Sequence, residues 1–170
     1  MWTCDNAARA DLFGTGTNKF TLNFVTISAD TNPTGDLAIV TYDYRIGKFE
    51  ITNDQWTKFK TAYGNVAGTP TEAYNEETPW LGSNLPTTRV SWYEAAQFVN
   101  WLNTSTGHQA AYNFTGTQGT NTYTLSVWPD NQAAAGTNLY RHKDAKYFLP
   151  TENEWVKAAY WNGTNLQTYA

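Results

Sequence analysis

The chain has 170 residues, 41% apolar, 16% aromatic and 15% charged, with a formal net charge of -4 at pH 7. One domain of that length can bury about 70% of its unfolded surface, and 8 Trp, 11 Tyr and 8 Phe provide large rings with which to do it. A weakly acidic chain offers no field for holding phosphates, which excludes nucleic acid as an expected partner, and no run of about 18 apolar residues is present to span a membrane.

At the N-terminus, MWTCDNAARADLF lacks the basic and then apolar layout of an export signal, so none is expected. The low charge and abundant Thr and Asn nevertheless favour an extracytoplasmic or secreted setting. Phe20, Leu22 and Phe24 alternate with polar residues, and Val25 and Ile27 continue on the opposite parity, which predicts a strand with a bulge. Asn32, Pro33 and Gly35 supply a turn, and residues 37–50 are rich in aromatic and β-branched residues, so a hairpin is the simplest expectation.

Three capping boxes follow. In the first, Thr52 is the N-cap and Gln55 its partner, while Trp56, Phe59 and Tyr63 form one apolar stripe and Gly64 stands where a left-handed cap is wanted. This predicts a helix over 53–63. Ser91 and Glu94 repeat the pattern ahead of Ala95, Phe98, Val99 and Leu102, spaced as one buried helical face. Thr151 and Glu154 make the third box, with Trp155, Ala158 and Ala159 on one face and Gly163 expected to close the helix. The stretches 65–89 and 103–144 are long for ordinary connections, and within the second, residues 122–128 alternate enough for a short hairpin strand. Residues 146–149 read as an extended approach to the third helix.

YRIGKFEITNDQW, VSWYEAAQFVNWL and YFLPTENEWVKAAY, in this order, resemble the front half of a sulfatase-modifying-factor domain, the formylglycine-generating-enzyme family. The motif positions are Glu50-Ile51-Thr52-Asn53 running to Trp56, then Val90-Ser91-Trp92 with Glu94, then Leu149-Pro150-Thr151-Glu152-Asn153-Glu154-Trp155. The resemblance implies an α+β fold, complex and irregular, related to C-type lectins, with about three helices and several short strands. It divides the chain into residues 1–39, which carry no assigned motif, and residues 40–170, the N-terminal half of such a domain, so an incomplete fold is expected.

Complete members of the family are copper-dependent oxidases that convert a cysteine of a client protein to formylglycine, using a cysteine pair that lies beyond the third motif. Cys4 is the only cysteine here and precedes every matched motif, and a copper(I) thiolate site needs at least two soft protein ligands. The chain alone is therefore expected to be a catalytically inactive fragment with no cofactor, copper and calcium belonging to a complete member. The expected partner is a client protein or peptide. The alternative is a noncatalytic, lectin-like module that binds peptide or glycan.

Structural roles account for most of the motif residues. Trp56, Trp92, Trp101 and Trp155 are expected mostly at packing positions, and Glu50 is expected to tie down nearby loop backbone. Glu152 and Glu154, two apart on a helix, do not face each other as an acid and base pair would. Trp80 is the one groove candidate, because the resemblance places it in a loop that contributes to client-peptide binding. His108 and His142 stand apart from any paired-ligand spacing.

Overall fold

The computed structural model describes residues 9–64, 66, 81–134 and 138–169. Among them the chain is α+β, with three α-helices and short strands. In order these are β1 (Arg9–Phe13), β2 (Phe20–Ile27), β3 (Tyr44–Gly47), α1 (Asn53–Tyr63), α2 (Trp92–Thr104), β4 (Asn113–Thr115), β5 (Thr124–Ser126), β6 (Ala133–Ala134), β7 (Asn138–His142) and α3 (Glu152–Tyr160). The strands form one three-stranded sheet, β1-β2-β3, and two ribbons, β4-β5 and β6-β7. Two compact units result, one comprising the chain up to Asp11, Thr21–Phe49 and the chain from Pro150 onward, the other Leu12–Phe20 and Glu50–Leu149.

In the first unit β2 pairs antiparallel with β3 from Phe24↔Gly47 to Ile27↔Tyr44 without a register shift. The parity change after Phe24 is therefore not a bulge in this pairing; it marks the point where the strand ceases to bury one face, since Phe20 and Leu22 are buried and residues 24–27 only partly so or exposed. Nor is the β2–β3 connection a tight turn. Residues 28–43 form an irregular excursion whose backbone is held by side chains: Val40 N donates to Asn32 Oδ1 at 2.9 Å and Ala38 N to Asn153 Oδ1 at 2.8 Å. Ala38 sits fully buried with φ +64°, a conformation that an L-residue adopts only when its surroundings fix it.

The second unit contains an aromatic core. Trp56 and Phe59 on α1 lie 5.6 and 5.1 Å from the Phe98 ring of α2, and Phe20 stacks on Trp101 at 5.7 Å. α1 occupies the expected span, and the Gly64 N–H closes it on Lys60 O with φ +89°. The predicted strand within residues 122–128 is β5, paired antiparallel with β4. Gly116 makes the turn between them at φ +94°, where a Cβ would lie 2.0 Å from Thr122 O.

α3 ends earlier than the sequence implies. The Trp161 N–H bonds Lys157 O as the chain becomes extended, and Gly163 belongs to a following turn in which Asn162 Oδ1 accepts from Thr164 N and Asn165 N. The buried residues of α3 are Glu154 and Lys157, and Trp155 is 49% exposed. The expected apolar face is thus corrected: at 100° per residue, turning residues 154 and 157 inward carries Trp155 outward. Trp92, 46% exposed, is likewise not a core residue, whereas Trp56 and Trp101 are.

Candidate functional site

Each of the three motifs begins a helix with a reciprocal cap. At α1, Thr52 Oγ1 accepts from Gln55 N at 3.3 Å and Gln55 Oε1 accepts from Thr52 N at 2.9 Å. The same helix start clamps the loop that follows Trp80. Asn53 N donates to Leu85 O and Asp54 N to Ser83 O, both at 2.9 Å, Asn53 Nδ2 to Gly82 O at 3.0 Å, and Thr87 N to Ile51 O at 2.8 Å. Asn53 is buried for this purpose, and the first-turn N–H groups that a helix leaves unpaired become loop anchors. Glu50 is exposed, so the anchoring falls to Ile51 and Asn53. Trp80 itself lies outside the described residues.

At α2, Glu94 is buried, and its Oε2 accepts from Ser91 N at 2.9 Å and Ser91 Oγ at 2.7 Å. Trp92 then projects outward, edge-on to Tyr93 at 5.8 Å and to Tyr112 at 5.1 Å. Tyr112 is held from three directions. Asn100 Nδ2 donates to its carbonyl at 2.7 Å, Asn100 Oδ1 accepts from its N–H at 2.8 Å, and its hydroxyl accepts from Leu149 N at 2.9 Å. It also bridges to Arg141 across an antiparallel pair. Ser91, Trp92, Glu94, Asn100 and Tyr112 therefore form one rigid patch with a half-exposed aromatic rim.

Within the first unit, Pro150, Thr151 and Glu152 are exposed and Glu154 is buried. Glu154 Oε2 accepts from Thr151 N at 2.7 Å and Thr151 Oγ1 at 2.9 Å, and its Oε1 accepts from Tyr42 Oη at 2.8 Å. Tyr44 Oη donates to the Glu154 carbonyl. Burial, with the Glu154 charge and then Tyr42 adding to it, pushes the Tyr44 hydroxyl up to about 12. Beside it Lys157 Nζ donates to Asn32 Oδ1 at 3.0 Å and Val40 O at 3.2 Å. Desolvation lowers the Lys157 pKa, and the charges of Asp43 and Asp30 partly offset the shift.

Neither histidine is arranged as a metal ligand pair. His142 Nδ1 accepts from Asp144 N at 3.1 Å while its ring meets Trp128 edge-on at 4.7 Å, and His108 lies against Tyr147. Among the described residues no three His, Cys, Asp or Glu side chains converge as a metal site would require. Among the described residues no helix is long and apolar enough to cross a membrane.

A sequence profile for the sulfatase-modifying factor enzyme 1-like domain matches residues 13–170. The chain belongs to this family. Neither a curated protein nor a solved structure matches it. The match of this sulfatase-modifying-factor domain takes in residues 13–39, where no motif was readable, and so includes the buried rings of Phe13 and Phe20.

Sequence reasoning missed the partners that complete the motifs: Asn32, Tyr42, Tyr44 and Lys157 around Glu154, Tyr112 against Trp92 with Asn100 and Arg141 paired to it, and Asn103 on the Tyr147 backbone. One signal was available. Asn100 and Asn103 fall on α2 among Ala96, Phe98, Val99 and Leu102, and an amide among buried apolar residues on a helix needs a backbone partner from elsewhere.

Proposed function

We propose that these 170 residues form a polypeptide-binding scaffold of the sulfatase-modifying-factor type, related in fold to C-type lectins, that holds a client segment and does not oxidise it unaided. The observation that carries this reading is the use made of the motif carboxylates. Glu94 and Glu154 are buried and accept the capping hydrogen bonds, so neither is placed as an exposed acid or base. What the same motifs leave outward is aromatic: Trp92 and Tyr93 stand on a backbone fixed by Asn100, Tyr112 and the Ser91 cap. Rigid half-exposed rings of this kind supply contact area at small entropic cost.

Catalytic members of the family oxidise a client cysteine through a copper-bound cysteine pair, and the donor set here does not fit that group. The sequence holds one cysteine, Cys4, and one methionine, Met1, and the Nδ1 of His142 is already hydrogen-bonded. No step through copper is assigned to this chain, nor is a calcium site.

Anaerobic copper(I) titration with a competing chelator tests the first half of the proposal. Weak binding no tighter than that of a Cys4→Ser variant is expected, and tight one-to-one binding overturns it. A panel of cysteine-containing peptides tests the second half, with binding expected to weaken in Trp92→Ala. Binding of glycans with no peptide affinity would replace the scaffold reading with the lectin-like one.

A further inference from the structure

Arg141 is the basic residue of the second unit whose surroundings are least explained by folding. Its guanidinium carbon lies 4.1 Å from the centre of the Phe148 ring, a close stacked contact. Its Nη1 is shut off from solvent and has no hydrogen-bond partner. Among the described residues no carboxylate or carbonyl is bonded to the guanidinium, and the nearby Asp144 is paired instead with Lys143 at 3.6 Å.

A guanidinium cannot discharge itself by losing a proton, and it carries five N–H groups in a fixed fork. Holding one end of that fork dry and unbonded costs stability, and of the buried side-chain atoms without a partner among the described residues it is the one that belongs to a charged group. The orientation is nonetheless fixed. Tyr112 and Arg141 are directly opposed in an antiparallel bridge, which puts their side chains on one side of the pair, and the Tyr112 ring in turn meets Trp92. The frame around them is also fixed, by Asn100 on Tyr112, by Leu149 N on the Tyr112 hydroxyl, and by the His142 N–H on Ala111 O at 2.8 Å.

We propose that Arg141 is the anchoring point for an oxyanion, the carboxylate of an acidic side chain in the bound polypeptide, with Phe148 behind the guanidinium and Trp92 taking the neighbouring apolar part of the segment. This rests on the polypeptide-binding reading and adds the chemistry of the segment recognised. With Nη1 shut off from solvent, the Nε–Nη2 edge of the guanidinium is the side that can meet a carboxylate with two parallel hydrogen bonds, and the Phe148 stack keeps that edge in place before the ligand arrives. The amide of an asparagine at the same place would turn one N–H toward the guanidinium and lose half the match.

The test uses the whole chain and two blocked tripeptides, Phe-Asp-Gly and Phe-Asn-Gly, with inorganic sulfate as a third probe, read by nuclear magnetic resonance at the Arg141 Nε–H and the Trp92 indole N–H. The Asp peptide is expected to shift both signals and to bind about tenfold or more tightly than the Asn peptide, the factor that one charge-assisted hydrogen bond supplies. Arg141→Lys, which keeps the charge and loses the fork, should erase most of that preference, and its melting curve shows whether it folds. Equal binding of the two peptides with loss in Trp92→Ala overturns the oxyanion anchor while leaving the polypeptide reading in place. Sulfate alone shifting Arg141, with neither peptide bound, overturns the polypeptide reading while retaining an oxyanion site. No response of the Arg141 signal to any probe overturns the inference itself, and that result needs no variant.

Discussion

Replacing Asn103 by alanine should be among the most damaging single changes available in the second unit. The side chain is fully buried and uses its whole hydrogen-bonding capacity: Nδ2 donates to Val99 O at 3.1 Å and Tyr147 O at 2.7 Å, while Oδ1 accepts from Lys146 N at 3.1 Å and Tyr147 N at 3.0 Å. Val99 O lies inside α2 and keeps a helical partner, and Lys146 is exposed, so water can take its N–H. The two Tyr147 groups are buried and have no such recourse. At about 1–3 kcal/mol for each buried group left unbonded, the loss is about 3–5 kcal/mol, near the top of the range for one substitution. With a urea slope of about 2 kcal/mol/M the unfolding midpoint, followed by tryptophan fluorescence, falls by roughly 1.5–2.5 M. Asn103→Asp sharpens the test. It keeps both acceptors but turns a carboxylate toward two carbonyls, so it should destabilise more at neutral pH and partly recover as acid protonates it. A loss under about 1 kcal/mol in Asn103→Ala would refute the claim that this amide holds the 146–147 backbone.

In the first unit, Thr151→Ala should cost about 1 kcal/mol as an ordinary N-cap loss, and Glu154→Ala about 2–4 kcal/mol because it strips a partner from Thr151 and Tyr42 together. Equal costs in denaturant titration would count against the Tyr42 link. The alkaline limb of stability should carry the Tyr44 signature. Its folded value of about 12 lies above the ordinary 10, so its contribution is complete below pH 10 and is lost as pH rises toward 12. Tyr44→Phe should flatten part of that decline, while Tyr63, raised by burial and by Tyr123, sustains the rest. Lys157 acts with the opposite sign. Its folded pKa lies below 10.5, so stability rises as pH climbs toward 10.5, and Lys157→Met should remove that rise from pH-dependent melting curves.

The helix starts were legible because a cap is a local device. Thr52 with Gln55, Ser91 with Glu94 and Thr151 with Glu154 each lie within one turn, and the sequence spacing is the geometry. What lay beyond one turn was not legible. The exposure of Trp155 is decided by Glu154 and Lys157, whose partners Tyr42, Asn32 and Val40 are more than a hundred residues away. A hydrophobic pattern read on α3 alone favours Trp155 as the buried residue, because nothing local announces that a carboxylate and an ammonium have partners waiting. The bulge expected in β2 failed for a related reason: a change of parity records which side is buried, and it mimics a register shift when the burial itself ends mid-strand.

Those distant partners also explain how a chain with so little regular structure between its helices can be ordered at all. A buried loop must find partners for every N–H and C=O that a ladder would otherwise satisfy. Here amide side chains supply them. Asn32 and Asn153 take the N–H groups of Val40 and Ala38, Asn53 takes Gly82 O, Asn100 pairs with both backbone groups of Tyr112, and Asn103 does the same for Tyr147. The abundance of asparagine is thus a structural feature of the irregular segments, and these asparagines are already engaged with backbone. Arg141 is the contrast that gives this meaning. Trp56 Nε1 and Thr87 Oγ1 of the same unit are also buried without a partner, but among the described residues Arg141 is the one such group that carries a full charge, and a fold that fixes its loops so thoroughly leaves that guanidinium for a partner from outside.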